Sequence, residues 1–340
     1  MASVTHERRG PSIWAFIFLG AGIIWLLVEL NILNSSHLSV LARFWPVVLI
    51  AIGINLLLAR SSPALTSLIG VATIVILIAL MLVGPALGLG IAQADLKSDT
   101  YSEPRDDASS AAITLSATTG TIEIDPLSDS NNLFEADVRH IGDLQYDVSG
   151  TADNKIIRLD EQDAGPFNFS FNLFSLLSDD DDPFWNVGLN PNLPIDLNVN
   201  TGTGSANLAL EALQISKLRV NTGTGSINIS LPNMESAYDA TLSTGTGSVT
   251  MSIVDGTAVS LYVNTGTGGA TIDVPDNAAV RLDASVGTGS VNTPSWMRRV
   301  SGDEERFIGD DGIWESDGYA GAERQININF DGGTGSITLR

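Results

Sequence analysis

A Gly-Thr-Gly tripeptide recurs six times between residues 202 and 335, and no other property of the chain limits its fold so tightly. The first glycines are Gly202, Gly223, Gly245, Gly266, Gly287 and Gly333, and the second are Gly204, Gly225, Gly247, Gly268, Gly289 and Gly335. The intervals run 21, 22, 21, 21 and 46 residues. A fixed period of this length marks a solenoid, whose repeats bury their apolar faces only by stacking on one another. The last interval exceeds two periods, which predicts an insertion there. Each copy lies between short runs of alternating apolar and polar residues, as in IDLNVNTGTGSANLAL from Ile195. Alternation is the strand period with one buried face, and glycine supplies positive φ or close backbone approach where the chain turns. Equivalent corners then stack along one axis, each strand bonded to its equivalent in the next coil. Thr119-Gly120-Thr121 reads as a degenerate first copy. The expected fold from 111 to 340 is therefore an all-β solenoid with these glycines as structural turn residues. Valine at Gly223 or Gly245 is expected to disturb folding rather than chemistry. A phosphate-cradling loop is a poor reading, because no helix pattern and no adjacent lysine follow any copy.

Charge divides the chain. The net of −22 conceals residues 1–93, with four basic and two acidic residues, and a remainder with 13 basic and 37 acidic. So acidic a region repels phosphates, and no nucleic-acid partner is expected. Cysteine is absent, which excludes disulfides and thiolate-bound zinc. His140 is the lone histidine of the acidic region, and DVRHIGD around it resembles neither a nucleophile elbow nor a zinc motif. No enzyme activity, catalytic residue or cofactor is expected.

The first ninety residues are apolar in three stretches, read as membrane spans at about 13–33, 38–59 and 64–87 within a 12–90 module. Residues 1–11 form a tail bearing Arg8 and Arg9; Arg60 lies in the second loop and Arg43 in the first. The positive-inside rule puts the N-terminus in the cytoplasm and, with three spans, the acidic region outside. Glu29 either snorkels to the outer interface or serves as a partner contact within the membrane. Ala92-Gln93-Ala94 resembles a cleavage site but lies far from the N-terminus. Residues 91–110 are polar and read as a flexible linker.

Two insertions break the repeat, at 162–194 and 294–324. The first holds Phe167, Phe169, Phe171, Phe184 and Trp185. They are candidates either for a cap over the open end of the solenoid or for a contact with a partner, the membrane or a second copy. Asp179, Asp180, Asp181 and Asp182 within it are weak metal candidates, since the spaced ligands and glycine of a calcium loop are missing. The second insertion suits a loop or hairpin packed on the last coils. Its Arg298 and Arg299, with Arg281, offer a basic spot for an anion or a partner.

Arg43-Phe44-Trp45-Pro46, followed by VVLIAIGINLLLAR, resembles the Phe-Trp-Pro membrane module of LiaI/LiaF-type bacterial envelope proteins. The Thr-Gly-Thr-Gly-Ser repeats resemble the adhesin-like toastrack β-solenoid often joined to such modules. The resemblance implies a bacterial cytoplasmic-membrane protein with Phe44, Trp45 and Pro46 as its membrane motif. LiaF-type members restrain a sensor kinase that responds to envelope damage. The implied function is thus non-enzymatic envelope-stress regulation through protein–protein contacts. Implied partners are the lipid bilayer and a membrane sensor kinase or a second copy. A tethered adhesion or scaffold module, and a cation- or ligand-binding solenoid, stand as alternatives.

Overall fold

The computed structural model describes residues 13–30, 50, 63–83, 96–128, 130–162, 182–234, 236–302 and 309–340. They fall in two compact units. In the N-terminal unit, helix α1 (Ile13–Glu29) and helix α2 (Pro63–Val83) meet where Gly20 lies against Ile74; a Cβ at Gly20 would sit 3.6 Å from Ile74 Cγ1. Small residues permit such close helix approach. Counting only the described residues, no helix is long and apolar enough to cross a membrane. The expected three-span count is therefore not shown. Its middle span lies outside the described residues apart from Ile50, as do Phe44, Trp45 and Pro46.

The second unit is two facing sheets, and each coil of the solenoid gives one strand to each. Four central coils follow sequence order: β8 (Pro194–Thr203) with β9 (Ala206–Ala209), β10 (Gln214–Thr224) with β11 (Ile227–Leu231), β12 (Tyr238–Thr246) with β13 (Val249–Ile253), and β14 (Val259–Thr267) with β15 (Ala270–Asp273). Parallel pairing keeps the repeat in register, so Asn200, Asn221, Ser243 and Asn264 stand side by side. Inward residues form columns: Ile113, Leu197, Leu218, Ala240, Leu261, Ile328 and Leu282 make one, each no more than 1% exposed. A parallel sheet survives in water here because its inner face is dry and its edges lie only at the two ends.

Both ends depart from sequence order. The C-terminal coil, β20 (Ile326–Thr334) with β21 (Ile337–Leu339), is inserted between the β14–β15 coil and the coil of β16 (Val280–Thr288) and β17 (Val291–Asn292). The first coil, β2 (Ser110–Thr119) with β3 (Thr121–Pro126), is likewise flanked outwardly by β6 (Asn154–Gln162) and β7 (Phe184–Leu189). This corrects the expectation that coils stack in sequence order. The long interval before Gly333 does not extend the stack; it carries the chain out through the hairpin β18 (Met297–Ser301) and β19 (Asp310–Ser316), then back inside. The hairpin closes one end with Trp314 and Met297, 6% and 7% exposed. Antiparallel strands close the other: β1 (Lys97–Pro104) on β4 (Asn132–His140), and β5 (Asp143–Gly150) on β6. β1 lies within the stretch expected to be a flexible linker, and all eight of its residues pair with β4. Its polar composition is that of an exposed edge strand.

The corner glycines do two jobs. The second of each pair has positive φ, +131° to +149°, and all but Gly289 donate their N–H to the neighbouring coil, as Gly225 does to Thr246 O at 2.9 Å. The first takes no positive φ, but a Cβ there would fall 2.5–2.7 Å from a backbone oxygen of the coil below. Gly120 occupies the equivalent corner in the first coil, its N–H bonded to Thr203 O at 2.9 Å.

Candidate interaction surface

The closed N-terminal end is pinned by charged side chains on the buried parity of β6. Lys155 Nζ donates to Glu103 Oε1, Pro104 O and Asp106 Oδ2 at 2.8, 2.7 and 2.7 Å. Glu161 accepts four backbone N–H groups: Thr118 and Thr119 at the corner, Ile141 and Gly142 in the β4–β5 turn. Truncation of Glu161 to alanine strands those donors, Gly142 buried and the others half-buried, and is expected to cost about 3 kcal/mol. Thermal melting checks it, and a loss under about 0.5 kcal/mol contradicts the role. Alternation in KIIRLDEQ puts Lys155 and Glu161 inward at either end of the strand, which was the available signal for both.

Alkali should loosen the domain. Burial draws the Lys155 ammonium down, but hydrogen bonds to Asp106 and Glu103 outweigh it and hold its pKa above the ordinary value. Burial pushes the Tyr146 hydroxyl up to about 12, and also raises Tyr238, whose hydroxyl donates to Pro232 O at 3.1 Å. Each group holds its proton more tightly folded than unfolded. Its contribution is complete below the unfolded value and lost as pH climbs through the raised one. The melting temperature is expected to fall above about pH 10. An unchanged melt at about pH 11.5 contradicts this.

His140 is 1% exposed, with Nδ1 2.8 Å from Gly142 O and Nε2 2.9 Å from Asp99 Oδ2. Both nitrogens are committed to the end cap, so no nucleophile–base pair is assembled there. The basic spot is neutralised: Arg281 pairs with Glu315, Arg298 with Asp317 and Arg299 with Asp310, and Arg299 also lies 4.8 Å over the Trp314 ring. That corrects its reading as an anion site. Trp185 is fully buried on β7, leaving no face for a partner, while Phe184 is half-buried beneath Arg139. Phe167, Phe169, Phe171 and Asp179 to Asp181 lie outside the described residues; Asp182 is exposed. Among the described residues, no group of three or more His, Cys, Asp or Glu is placed to hold a metal ion. Glu29 is exposed at the end of α1.

What remains is surface. The outer faces carry ladders of short polar side chains one strand spacing apart, in which Asn221 Nδ2 donates to Asn200 Oδ1 and Asn228 Nδ2 to Asn207 Oδ1, each at 2.9 Å. Along the corner, Thr203, Thr224, Thr246, Thr267, Thr334 and Thr288 make an exposed threonine row. Residues 92–252 match the family model described as the N-terminal domain of toast_rack, and residues 12–57 match the LiaI-LiaF-like transmembrane region. The chain thus joins a region similar to the LiaI-LiaF-like membrane module to one similar to the toast-rack domain. Among solved structures, a candidate cell adhesion protein from Clostridium sporogenes ATCC 15579 matches with a TM-score of 0.50 at 16% identity. That match covers 72% of this chain and 99% of that one. A candidate adhesin from Bacteroides fragilis NCTC 9343 matches with a TM-score of 0.26 at 11% identity, covering 72% and 97%. No curated protein matches the chain. The toast-rack domain is thus adhesin-like in fold, and the membrane region associates the chain with a membrane.

Proposed function

We propose that this is a non-enzymatic protein of the bacterial cytoplasmic membrane that regulates an envelope-stress sensor kinase through protein–protein contacts. The observation that carries the reading is the union, in one chain, of a LiaI-LiaF-like membrane region with a toast-rack domain. The anchor has three spans near 13–33, 38–59 and 64–87, the N-terminus is inside, and the toast-rack domain is extracytoplasmic. Arg8, Arg9 and Arg60 against Arg43 support that orientation. A ligand or contact favouring one arrangement of the exterior domain shifts how the anchor packs against the partner's helices. Exchange of residues 12–90 for an unrelated three-span anchor is expected to uncouple an envelope-stress transcriptional reporter while the domain stays exported. An unchanged reporter response would sink this reading.

The second reading is a tethered adhesion module, favoured by the fold shared with the Clostridium sporogenes protein. It requires the anchor only as a tether, so cell-surface attachment would survive the same exchange.

A further inference from the structure

Tyr262 interrupts a row of shorter side chains. On the outer face of the eleven-stranded sheet, Thr241, Tyr262, Asn329 and Asp283 stand side by side on β12, β14, β20 and β16. The tyrosine is 52% exposed and overhangs a groove of about 560 Å³. Ser243, Asn264 and Asp331 line that groove with Thr241, Asn329 and Asp283, and no lysine or arginine does. The insertion of β20 builds this surface, since it carries Asn329 and Asp331 in between Tyr262 and Asp283.

The chemistry of the lining selects among ligands. The lining itself carries two carboxylates and no cation, Arg219 standing one strand beyond Thr241, and it disfavours polyanions. A bare cation would satisfy the carboxylates but leave the amide donors of Asn264 and Asn329 unmatched. A pyranose answers all of it. Its apolar ring face covers the tyrosine ring, which is apolar in body and polar only at its tip. Its hydroxyls both donate and accept, matching amides, carboxylates and short hydroxyls together. The row from Thr241 to Asp283 spans three strand spacings, about 14 Å, which suits a short oligosaccharide rather than one ring.

We propose that this groove binds a segment of a neutral glycan, with Tyr262 as the stacking platform. The inference goes beyond the kinase-regulator reading and stands or falls separately, because its test reads binding by the purified chain with no partner present. The full chain in nanodiscs is titrated calorimetrically with neutral hexasaccharides: β-1,4-linked glucose, β-1,4-linked N-acetylglucosamine and α-1,4-linked glucose. At least one is expected to bind saturably. Tyr262→Ala is expected to weaken it about tenfold or more, while Tyr262→Phe, which keeps the ring, stays within about threefold. Thr250→Ala, on the opposite sheet, changes nothing. Since Tyr262 is exposed, the variants keep the wild-type melt, which is checked alongside. The proposal is overturned if no hexasaccharide binds, or if Tyr262→Ala binds as wild type. It is equally overturned if spermine binds more tightly than every sugar in a Tyr262-dependent way.

Discussion

Removal of residues 326–340 is expected to abolish cooperative folding of the toast-rack domain, not merely to shorten it by a coil. In a solenoid stacked in sequence order, the last coil is a terminal unit whose loss removes one interface and leaves the rest standing. Here the last coil is internal. Its strand β20 pairs with β14 on one side and β16 on the other, and β21 likewise joins β15 to β17. Deletion therefore breaks two interfaces and detaches β16, β17 and the β18–β19 hairpin from the stack. Ile326, Ile328, Phe330, Ile337 and Leu339, all buried, go with it. Their burial is worth roughly 8–15 kcal/mol before chain entropy is counted, which is as large as the whole stability of an ordinary domain. The chain ending at Gln325 should show no cooperative melt, and amide exchange in β14 and β15 should lose its protection. A truncated protein melting within about 5 °C of the full chain would contradict the inserted topology.

Alanine at Gly225 should be nearly as damaging, although it adds one methyl group. A Cβ there would lie 1.9 Å from Gly204 O, and the backbone at φ +145° disfavours any L side chain. The obstacle is main chain and cannot swing aside, because it is part of the corner ladder that holds adjacent coils together. We expect a loss beyond about 4 kcal/mol, in the range reserved for core or backbone disruption. Gly318, in the milder left-handed helical region, is the comparison without a close neighbour. It also has positive φ, +78°, but nothing lies within 4 Å of its added Cβ. Gly318→Ala is expected to cost about 1–2 kcal/mol, the strain alone. Equal losses at the two positions would show that strain, and not the approach of neighbouring coils, is what the glycines relieve.

These effects mark what the sequence could and could not reveal. The corners were legible because glycine at a fixed period has few alternative explanations, and the flanking alternation of residues such as Leu218, Val220 and Asn221 fixed which face is buried. Coil order was not legible. Every corner presents the same Gly-Thr-Gly edge, so the motif at Gly333 pairs as well between Gly266 and Gly287 as beyond Gly287. The polar stretch 97–104 concealed β1, since an edge strand at the open end of a sheet buries little and needs no apolar run. Arg281, Arg298 and Arg299 looked like a basic spot because their partners Glu315, Asp317 and Asp310 lie 11 to 34 residues away in sequence and meet them only once β19 pairs with β16 and β18. Tyr262 gave no signal as one aromatic in a strand. Its groove exists only once β20 has brought Asn329 and Asp331 alongside.

If anchor and toast-rack domain work together on a membrane partner, as proposed, in-membrane photocrosslinking will show it. Photoreactive residues placed at Gly22 on α1 and at Val75 on α2, in the full chain in its own cells, are followed by mass spectrometry of the captured proteins. Capture of a sensor kinase is expected, and its loss when residues 12–90 are replaced by an unrelated anchor that carries photoreactive residues at equivalent depths. Capture of only lipid or the chain itself, unaltered by that replacement, would contradict it.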